Sequence, residues 1–261
     1  MRITYANYQF WVFVVVGAVL AVAHHAQLPS VEPFALATVV DPGYAIGQYN
    51  VGVALQRAGR LDEALDRYRA AASADPHDHT QCLNHATVAR KLGKLDEALE
   101  AARCATTEGT VGAVEYDELG QVLLVRGDDA GAAEAFEAAL RARPRVATTE
   151  LDLGAAYARL GRTADAERAW RGAVADDAKL AEAWFDLGNL LLKANNVSEA
   201  YTDFTAAVTA DPTHTKAMGN LAALDAEAGR TAMAIAWLDK LLALEPGNAQ
   251  AKAFRATLVA P

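Results

Sequence analysis

Residues 181–214 read AEAWFDLGNLLLKANNVSEAYTDFTAAVTADPTH, and the pattern of this stretch decides the fold. Its Leu187-Gly188 pair has counterparts along the chain at a constant spacing of 34 residues, without insertion or deletion. The counterparts are Val51-Gly52, His85-Ala86, Leu119-Gly120, Leu153-Gly154 and Leu221-Ala222. Such a period is typical of repeat proteins, in which one supersecondary unit is stacked many times.

Three further positions recur in the repeats. A turn residue is found at Gly59, Gly93, Gly127, Gly161, Asn195 and Gly229, and an alanine follows at Ala64, Ala98, Ala132, Ala166, Ala200 and Ala234. A bulky residue comes next at Tyr68, Phe136, Trp170, Phe204 and Leu238, with Ala102 as the exception. We therefore predict two antiparallel helices in each repeat. The turn residue accepts a positive φ, the alanine lets the helices approach closely, and the bulky side chain fills the gap to the next repeat.

These positions resemble those of the tetratricopeptide repeat (TPR) family. The match is closest in residues 181–214, at Trp184, Leu187, Gly188, Ala200, Phe204, Ala207 and Pro212. The resemblance implies an all-α fold, a right-handed superhelical solenoid of helix-turn-helix repeats. Six repeats are predicted at residues 45–78, 79–112, 113–146, 147–180, 181–214 and 215–248. Residues 26–44 are predicted to form a short linker with a capping half-repeat, and residues 249–261 a C-terminal capping helix.

In the TPR family the first helices of the repeats line a concave groove that holds an extended segment or a helix of a protein partner. The matching positions here are Tyr49, Asn50, Val53, Arg57, Asn84, Thr87, Arg90, Lys91, Asp117, Gln121, Phe185, Asn189 and Asn220. The resemblance implies that Asn50, Asn84 and Asn220 hydrogen-bond the ligand backbone. The first two repeats present basic groups without an acid, whereas repeats three to five are acidic and partly apolar. The alternative is a solvated helix face that binds nothing.

Residues 1–25 contain an uncharged apolar run, FWVFVVVGAVLAVA at positions 10–23. The run is shorter than the roughly 20 residues of a comfortable membrane span, so two interpretations stay open. One is a retained transmembrane anchor at residues 8–23, and the other is a signal peptide cleaved after Ala21-Val22-Ala23. Arg2 precedes the run and no Lys or Arg follows it before Arg57. The positive-inside tendency therefore predicts a single-pass inner (cytoplasmic) membrane protein, with its N-terminus in the cytoplasm and the repeats in the periplasm.

Composition argues against several classes of function. The net charge of −9 works against nucleic-acid binding, which needs a concentrated basic surface. No GxSxG, HExxH or glycine-rich phosphate loop occurs in the sequence, so we predict a protein that is not an enzyme. We predict no cofactor and no metal. His79 and His85 are six residues apart on one helix rather than the four that would put two metal ligands on one face. His85 also takes a position normally filled by buried leucine, which indicates a core histidine. For Cys82 and Cys104, the offset of Cys104 from the helix-helix seam makes a disulfide improbable.

The sequence thus predicts a non-catalytic protein-interaction scaffold, anchored in the membrane, that docks onto or forms part of a larger envelope complex. Two alternatives remain. The first is a cleaved, soluble periplasmic TPR protein. The second is a subunit of a redox membrane complex, with His24 or His25 near a cofactor.

Overall fold

A computed structural model describes residues 44–75, 78–107 and 111–259, without the side chains of residues 79 and 80. Within these ranges the regular secondary structure is entirely helical. The first helices of successive pairs are α1 (Ala45–Arg57), α3 (His79–Lys91), α5 (Ala113–Arg126), α7 (Ala147–Arg159), α9 (Ala181–Lys193) and α11 (Thr215–Glu227). The second helices are α2 (Leu61–Ala74), α4 (Leu95–Thr107), α6 (Asp129–Ala142), α8 (Thr163–Asp176), α10 (Val197–Ala210) and α12 (Thr231–Leu244). A last helix, α13, spans Ala249–Val259.

The predicted N-terminal anchor and capping half-repeat lie outside the described residues. Among the helices of residues 44–259 that the structure describes, none is both long and apolar enough to cross a membrane. The chain divides into two compact units, Met1–Ala135 and Phe136–Pro261, with the division inside α6.

The turn and alanine positions behave as the sequence predicts. All six turn residues have positive φ, from 61° at Asn195 to 82° at Gly127. The six alanines that follow are completely buried. A buried alanine at this position brings the axes of the paired helices together, since no larger side chain holds them apart. The helix-turn-helix prediction is therefore confirmed in the described residues.

The structure corrects the role predicted for the bulky side chain, because the ring at this position lies against the glycine of its own repeat. A Cβ atom on Gly188 would come within 2.7 Å of Phe204 Cε1, and one on Gly52 within 2.7 Å of Tyr68 Cε1. Both rings are fully buried. The Leu-Gly pair thus makes room for a ring on the second helix of the same repeat. The predicted packing into the gap to the next repeat does not describe this contact.

The second repeat replaces that ring-on-glycine contact with a covalent link. It carries Ala86 and Ala102 at the two positions, both fully buried. Cys82 on α3 and Cys104 on α4 form a disulfide with a Cα–Cα distance of 5.8 Å. The prediction that this bond is improbable is therefore wrong.

The physical reason for the disulfide is the close approach of α3 and α4. Ala98, Ala101, Ala102 and Ala105 of α4 are all buried, so the helices pack closely enough for a residue beside the seam to reach across. The antiparallel arrangement also puts the first turn of α3 next to the last turn of α4. The same two positions face each other in the fourth repeat, where a Cβ on Gly172 would lie 2.9 Å from a carboxylate oxygen of Glu150.

An ion-pair network joins the first two repeats. The Arg69 guanidinium on α2 donates two hydrogen bonds of 2.7 Å to the Glu97 carboxylate on α4. His85 Nε2 lies 2.7 Å from Glu97 Oε1. Hydrogen bonding from Arg69, aided by His85, lowers the pKa of Glu97 to about 2. His85 is half-buried with its ring nitrogen bonded to Glu97, which fits its interpretation as a structural histidine rather than a ligand.

Candidate partner-binding groove

Several of the groove positions predicted in the first unit are already hydrogen-bonded within the fold. Asn84 Nδ2 donates a hydrogen bond of 2.6 Å to the Tyr49 hydroxyl, which links α3 to α1. Tyr49 and Val53 pack against the buried core of this unit. Thr87 Oγ1 donates to the Leu83 carbonyl of its own helix. This face is therefore partly committed to holding neighbouring repeats in register.

The basic character predicted for the first two repeats is also reduced by an acidic residue of the third repeat. Arg90 donates hydrogen bonds of 2.7 and 3.0 Å to the two carboxylate oxygens of Glu118 on α5. The statement that these repeats carry no acid is thus incomplete, because the next repeat supplies one. Asn50 is half-buried, and Arg57 and Lys91 are exposed. Further along, Gln121 Nε2 donates to Asp117 Oδ2 at 2.8 Å on the same helix.

The three predicted positions of the second unit converge on a cavity. Phe185, Asn189 and Asn220 all line a space of about 650 Å³ between α9, α11, α12 and α13. Its apolar surface comes mainly from side chains of α11, α12 and α13. The lining comprises Phe185, Asn189, Thr215, Lys216, Gly219, Asn220, Ala223, Leu238, Leu241, Glu245, Asn248, Gln250, Ala251 and Phe254. We refer to this space as the C-terminal pocket.

Two asparagines form a polar pair on the wall of the C-terminal pocket. Asn220 Nδ2 donates a hydrogen bond of 3.0 Å to Asn189 Oδ1. Since each amide side chain has two donor hydrogens and one acceptor oxygen, the pair retains the Nδ2 donors of Asn189 and the Oδ1 acceptor of Asn220. A donor and an acceptor side by side are the complement of a peptide group in an extended chain.

The ring of Phe185 is held firmly by its neighbours. Its centroid lies 5.9 Å from that of Phe204 and 4.8 Å from that of His214. His214 is itself fixed, because its Nδ1 accepts from Ala217 N at the start of α11 and its Nε2 lies 3.2 Å from Glu182 Oε2. This arrangement presents the Phe185 ring to the pocket as a preorganised wall.

The two ionisable residues of the lining, Glu245 and Lys216, differ in how far they are free to bind a ligand. Glu245 accepts hydrogen bonds from the Thr215 hydroxyl at 2.6 Å and the Asn248 amide at 2.8 Å, and these bonds lower its pKa. Lys216 is exposed, with its Nζ 5.8 Å from the centroid of Phe185. Among the described lining residues, Lys216 is the charged group that is open to a ligand.

Two carboxyl groups of the second unit, Asp186 and Asp203, have raised pKa values. Burial, reinforced by the charge of Glu182, raises the pKa of Asp186 to about 6. Burial likewise raises the pKa of Asp203 on α10 to about 6. Since folding favours the protonated form of both groups, their contribution to stability is complete below about pH 4 and is lost as the pH rises through 6.

We expect Asp186→Asn to raise the free energy of unfolding by about 1–2 kcal/mol at pH 7.5, because the amide removes the cost of a buried charge. At pH 4, where the wild-type carboxyl is already protonated in the fold, the difference should nearly vanish. Urea unfolding at both pH values measures it, with Glu134→Gln on the exposed face of α6 as the control. An equal gain at both pH values would contradict this account.

Sequence reasoning missed most of the C-terminal pocket, including Lys216, Gly219, Leu238, Gln250 and Phe254. One signal was present. Gly219 occupies the fifth position of its repeat, where the five preceding repeats carry Tyr49, Leu83, Asp117, Leu151 and Phe185. A repeated position that lacks a side chain predicts an empty space. The repeat pattern does not predict that α13 closes this space, because that depends on the tertiary structure.

Sequence comparison assigns the family. Residues 34–79, 83–147 and 151–215 match one family profile described as Tetratricopeptide repeat, and residues 191–258 match a second profile of the same description. The chain belongs to the tetratricopeptide repeat family. TPR proteins are generally non-catalytic scaffolds for protein interactions. No curated protein sequence matches the chain.

Solved structures show the same TPR fold at low sequence identity. PilF of Pseudomonas aeruginosa superposes with a TM-score of 0.69 at 16% identity, over 82% of this chain and 97% of that one. YrrB, described as a TPR protein with an unusual peptide-binding site, gives 0.62 at 21% identity over 72% and 97%. MamA gives 0.59 at 20% identity over 64% and 97%.

The chemistry of the C-terminal pocket suits binding through hydrogen bonds and apolar contacts. Its polar groups are mainly amides and hydroxyls, which donate and accept hydrogen bonds without transferring protons at neutral pH. Within the described residues, no group of three His, Cys, Asp or Glu side chains could hold a metal ion. The side chains of His77 and His79 lie outside the described part.

Proposed function

We propose that this TPR protein is a non-catalytic scaffold that holds an extended segment of a protein partner in the C-terminal pocket. The observation that carries the proposal is the Asn189–Asn220 pair, which offers a donor and an acceptor beside a space of about 650 Å³ with a mixed apolar and polar lining. Pockets that combine an apolar floor with a few convergent polar groups are typical ligand sites. The first-unit groove positions, in contrast, include two contacts between repeats, Asn84–Tyr49 and Arg90–Glu118, and contribute less to this proposal.

We further propose that the apolar segment at residues 10–23 tethers the protein to the cytoplasmic membrane, with the repeats in the periplasm as part of an envelope complex. The Cys82–Cys104 disulfide supports export, because such bonds persist in oxidising compartments and are rare in the cytosol. Carbonate-washed membranes should retain the full-length chain. A mature N-terminus at His24 would contradict the anchor and leave a soluble periplasmic protein.

The binding proposal is tested by removing the asparagine pair. Peptides selected from a random library against the full chain should bind Asn189→Ala, Asn220→Ala about ten- to a hundredfold more weakly than wild type, since two hydrogen bonds of about 0.5–1.5 kcal/mol each are lost. The fold should be preserved, because removing both partners of a hydrogen bond is nearly neutral for stability. Fluorescence anisotropy with labelled peptides measures the affinity.

The matched control is Asn50→Ala in the first unit, which should leave the affinity for these peptides unchanged. Circular dichroism checks that all variants are equally helical. Selected peptides that bind the double variant as tightly as wild type would contradict the proposed site.

A further inference from the structure

The C-terminal pocket exists because one side chain is absent from a repeated position. In the first and fifth repeats the fifth residue is aromatic, and its ring packs beside the buried ring of the second helix: Tyr49 lies 5.9 Å from Tyr68, and Phe185 lies 5.9 Å from Phe204. The corresponding pair in the sixth repeat is Gly219 and Leu238. Leu238 lines the pocket with 1% of its surface exposed, and no ring of its own repeat lies beside it.

The space above Gly219 is open. A Cβ atom added there would meet only Leu241 Cδ1, at 3.9 Å, which is an ordinary van der Waals distance. By contrast, a Cβ on Gly188 would approach the Phe204 ring within 2.7 Å. Gly219 thus differs from the glycines that accommodate a ring of their own repeat, because no described side chain fills the volume beside it.

The walls of this space are suited to a ring. Phe185 and Phe254 are half-buried at the pocket, and behind them the buried side chains of Leu238, Leu241 and Ala251 complete an apolar wall. Aromatic rings gain from offset or edge-to-face contact with other rings in addition to the area they bury. A ring from a ligand would therefore occupy the place that Tyr49 and Phe185 fill in their own repeats.

The charged groups at the pocket indicate which kind of side chain lies next to the ring in a ligand. Both carboxylate oxygens of Glu245 already accept hydrogen bonds from Thr215 and Asn248. Lys216 has no salt-bridge partner within 4 Å among the described residues, although its charge also acts on Asp186, and its ammonium group lies at the rim beside Phe185. Asp186 and Glu182 are near Phe185 but do not line the pocket, and Glu182 is bonded to His214. The positive charge presented to a ligand at the rim complements a carboxylate.

We infer that the C-terminal pocket binds an extended peptide segment that carries an aromatic side chain next to an acidic one. The aromatic ring enters the space above Gly219, the acidic side chain pairs with Lys216, and the Asn189–Asn220 pair holds the backbone between them. This inference rests on the proposed function and adds the side-chain chemistry of the partner.

The test uses the full chain in nanodiscs, since detergent could enter an apolar pocket. Short capped peptides with a constant Gly/Ser frame differ only at two adjacent positions, which hold Phe-Glu, Phe-Gln, Ala-Glu or Ala-Gln. We expect the Phe-Glu peptide to bind at least about tenfold more tightly than Ala-Glu. It should also bind several-fold more tightly than Phe-Gln, and this difference should shrink at high salt.

Substitutions at Gly219 and Lys216 test which residue is responsible for each peptide preference. Gly219→Phe, which fills the space from within the chain, should abolish the preference for Phe, whereas Gly219→Ala should retain it. If Gly219→Phe is less helical than wild type, Gly219→Leu fills the same space with a smaller side chain. Lys216→Gln should remove the preference for Glu and leave the preference for Phe intact.

Several results would overturn the inference while leaving the proposed function in place. One is equal binding of the Phe and Ala peptides; another is library-selected peptides that need Asn189 and Asn220 but tolerate Gly219→Phe. Dimerisation of the chain that is lost in Gly219→Phe would identify a second copy as the occupant and also overturn it. If no selected peptide depends on the asparagine pair, the proposed function itself fails.

Discussion

Phe204→Ala is expected to lower the free energy of unfolding by about 3–5 kcal/mol, the usual cost of removing a buried ring. Phe204 is fully buried on α10, against Gly188 and beside Phe185. Its loss empties the centre of the fifth repeat. Because each repeat contacts only its neighbours, hydrogen exchange should accelerate mainly within the second unit. Urea unfolding followed by circular dichroism measures the change in stability.

The contact between Gly188 and Phe204 also predicts a coupling between two substitutions. Gly188→Ala alone should destabilise the protein, since overpacking costs about 1–3 kcal/mol and the gain in helix propensity recovers at most about 1 kcal/mol. In the Gly188→Ala, Phe204→Ala double variant the overpacking disappears, because two alanines stand at these positions in the second repeat as Ala86 and Ala102. The double variant should therefore be no less stable than Phe204→Ala.

Thr202→Ala is the control for this experiment. Thr202 lies on the exposed face of the same helix and its hydroxyl donates a hydrogen bond to the Ser198 carbonyl of that helix, so its removal should change stability by less than about 0.5 kcal/mol. Strictly additive effects of Gly188→Ala and Phe204→Ala would show that the ring does not rest on the glycine.

Removal of the disulfide is expected to have the second largest effect on stability. The bond joins Cys82 and Cys104 at a sequence separation of 22 residues. For a loop of this length, the chain-entropy relation gives a loss of about 3 kcal/mol on removing the cross-link. The second repeat depends on this link, since it has alanine where four of the other repeats have an aromatic ring and the sixth has Leu238. Destabilisation should thus be concentrated in α3 and α4.

Reduction and mutation should have the same effect on the disulfide. Cys82→Ala, Cys104→Ala in the absence of reductant should match wild type in dithiothreitol, and the double variant should not respond to dithiothreitol. Thiol titration of the denatured protein, purified without reductant from an oxidising compartment, should find no free thiols. Two free thiols per chain would contradict the disulfide.

The repeat pattern made most of the fold predictable. The positive φ at the six turn residues and the complete burial of the six alanines follow from backbone sterics and from the close packing of two helices, and both recur every 34 residues. The disulfide was not predictable by the same reasoning. The angular offset of Cys104 from the helix-helix seam does not prevent the bond, because four buried alanines on α4 let α3 and α4 pack closely.

The candidate site was predictable only in part. Phe185, Asn189 and Asn220 were identified because family positions carry over residue by residue. The Arg90–Glu118 and Asn84–Tyr49 bonds were missed, because side chains on successive first helices can bond to each other as readily as to a ligand. The C-terminal pocket was missed because it results from an absent side chain at Gly219 together with the placement of α13.

The central claim, that a protein partner occupies the C-terminal pocket, is tested most directly by photo-crosslinking in the native cell. A photoreactive amino acid is placed at Gln250, an exposed residue of the lining, and for comparison at Thr202 on the outer face of α10. The account predicts one defined crosslinked partner from position 250, which is absent from position 202 and is lost when Asn189 and Asn220 are both replaced by alanine. The same crosslinked partner from both positions, or one from position 250 that persists in the Asn189→Ala, Asn220→Ala background, would contradict it.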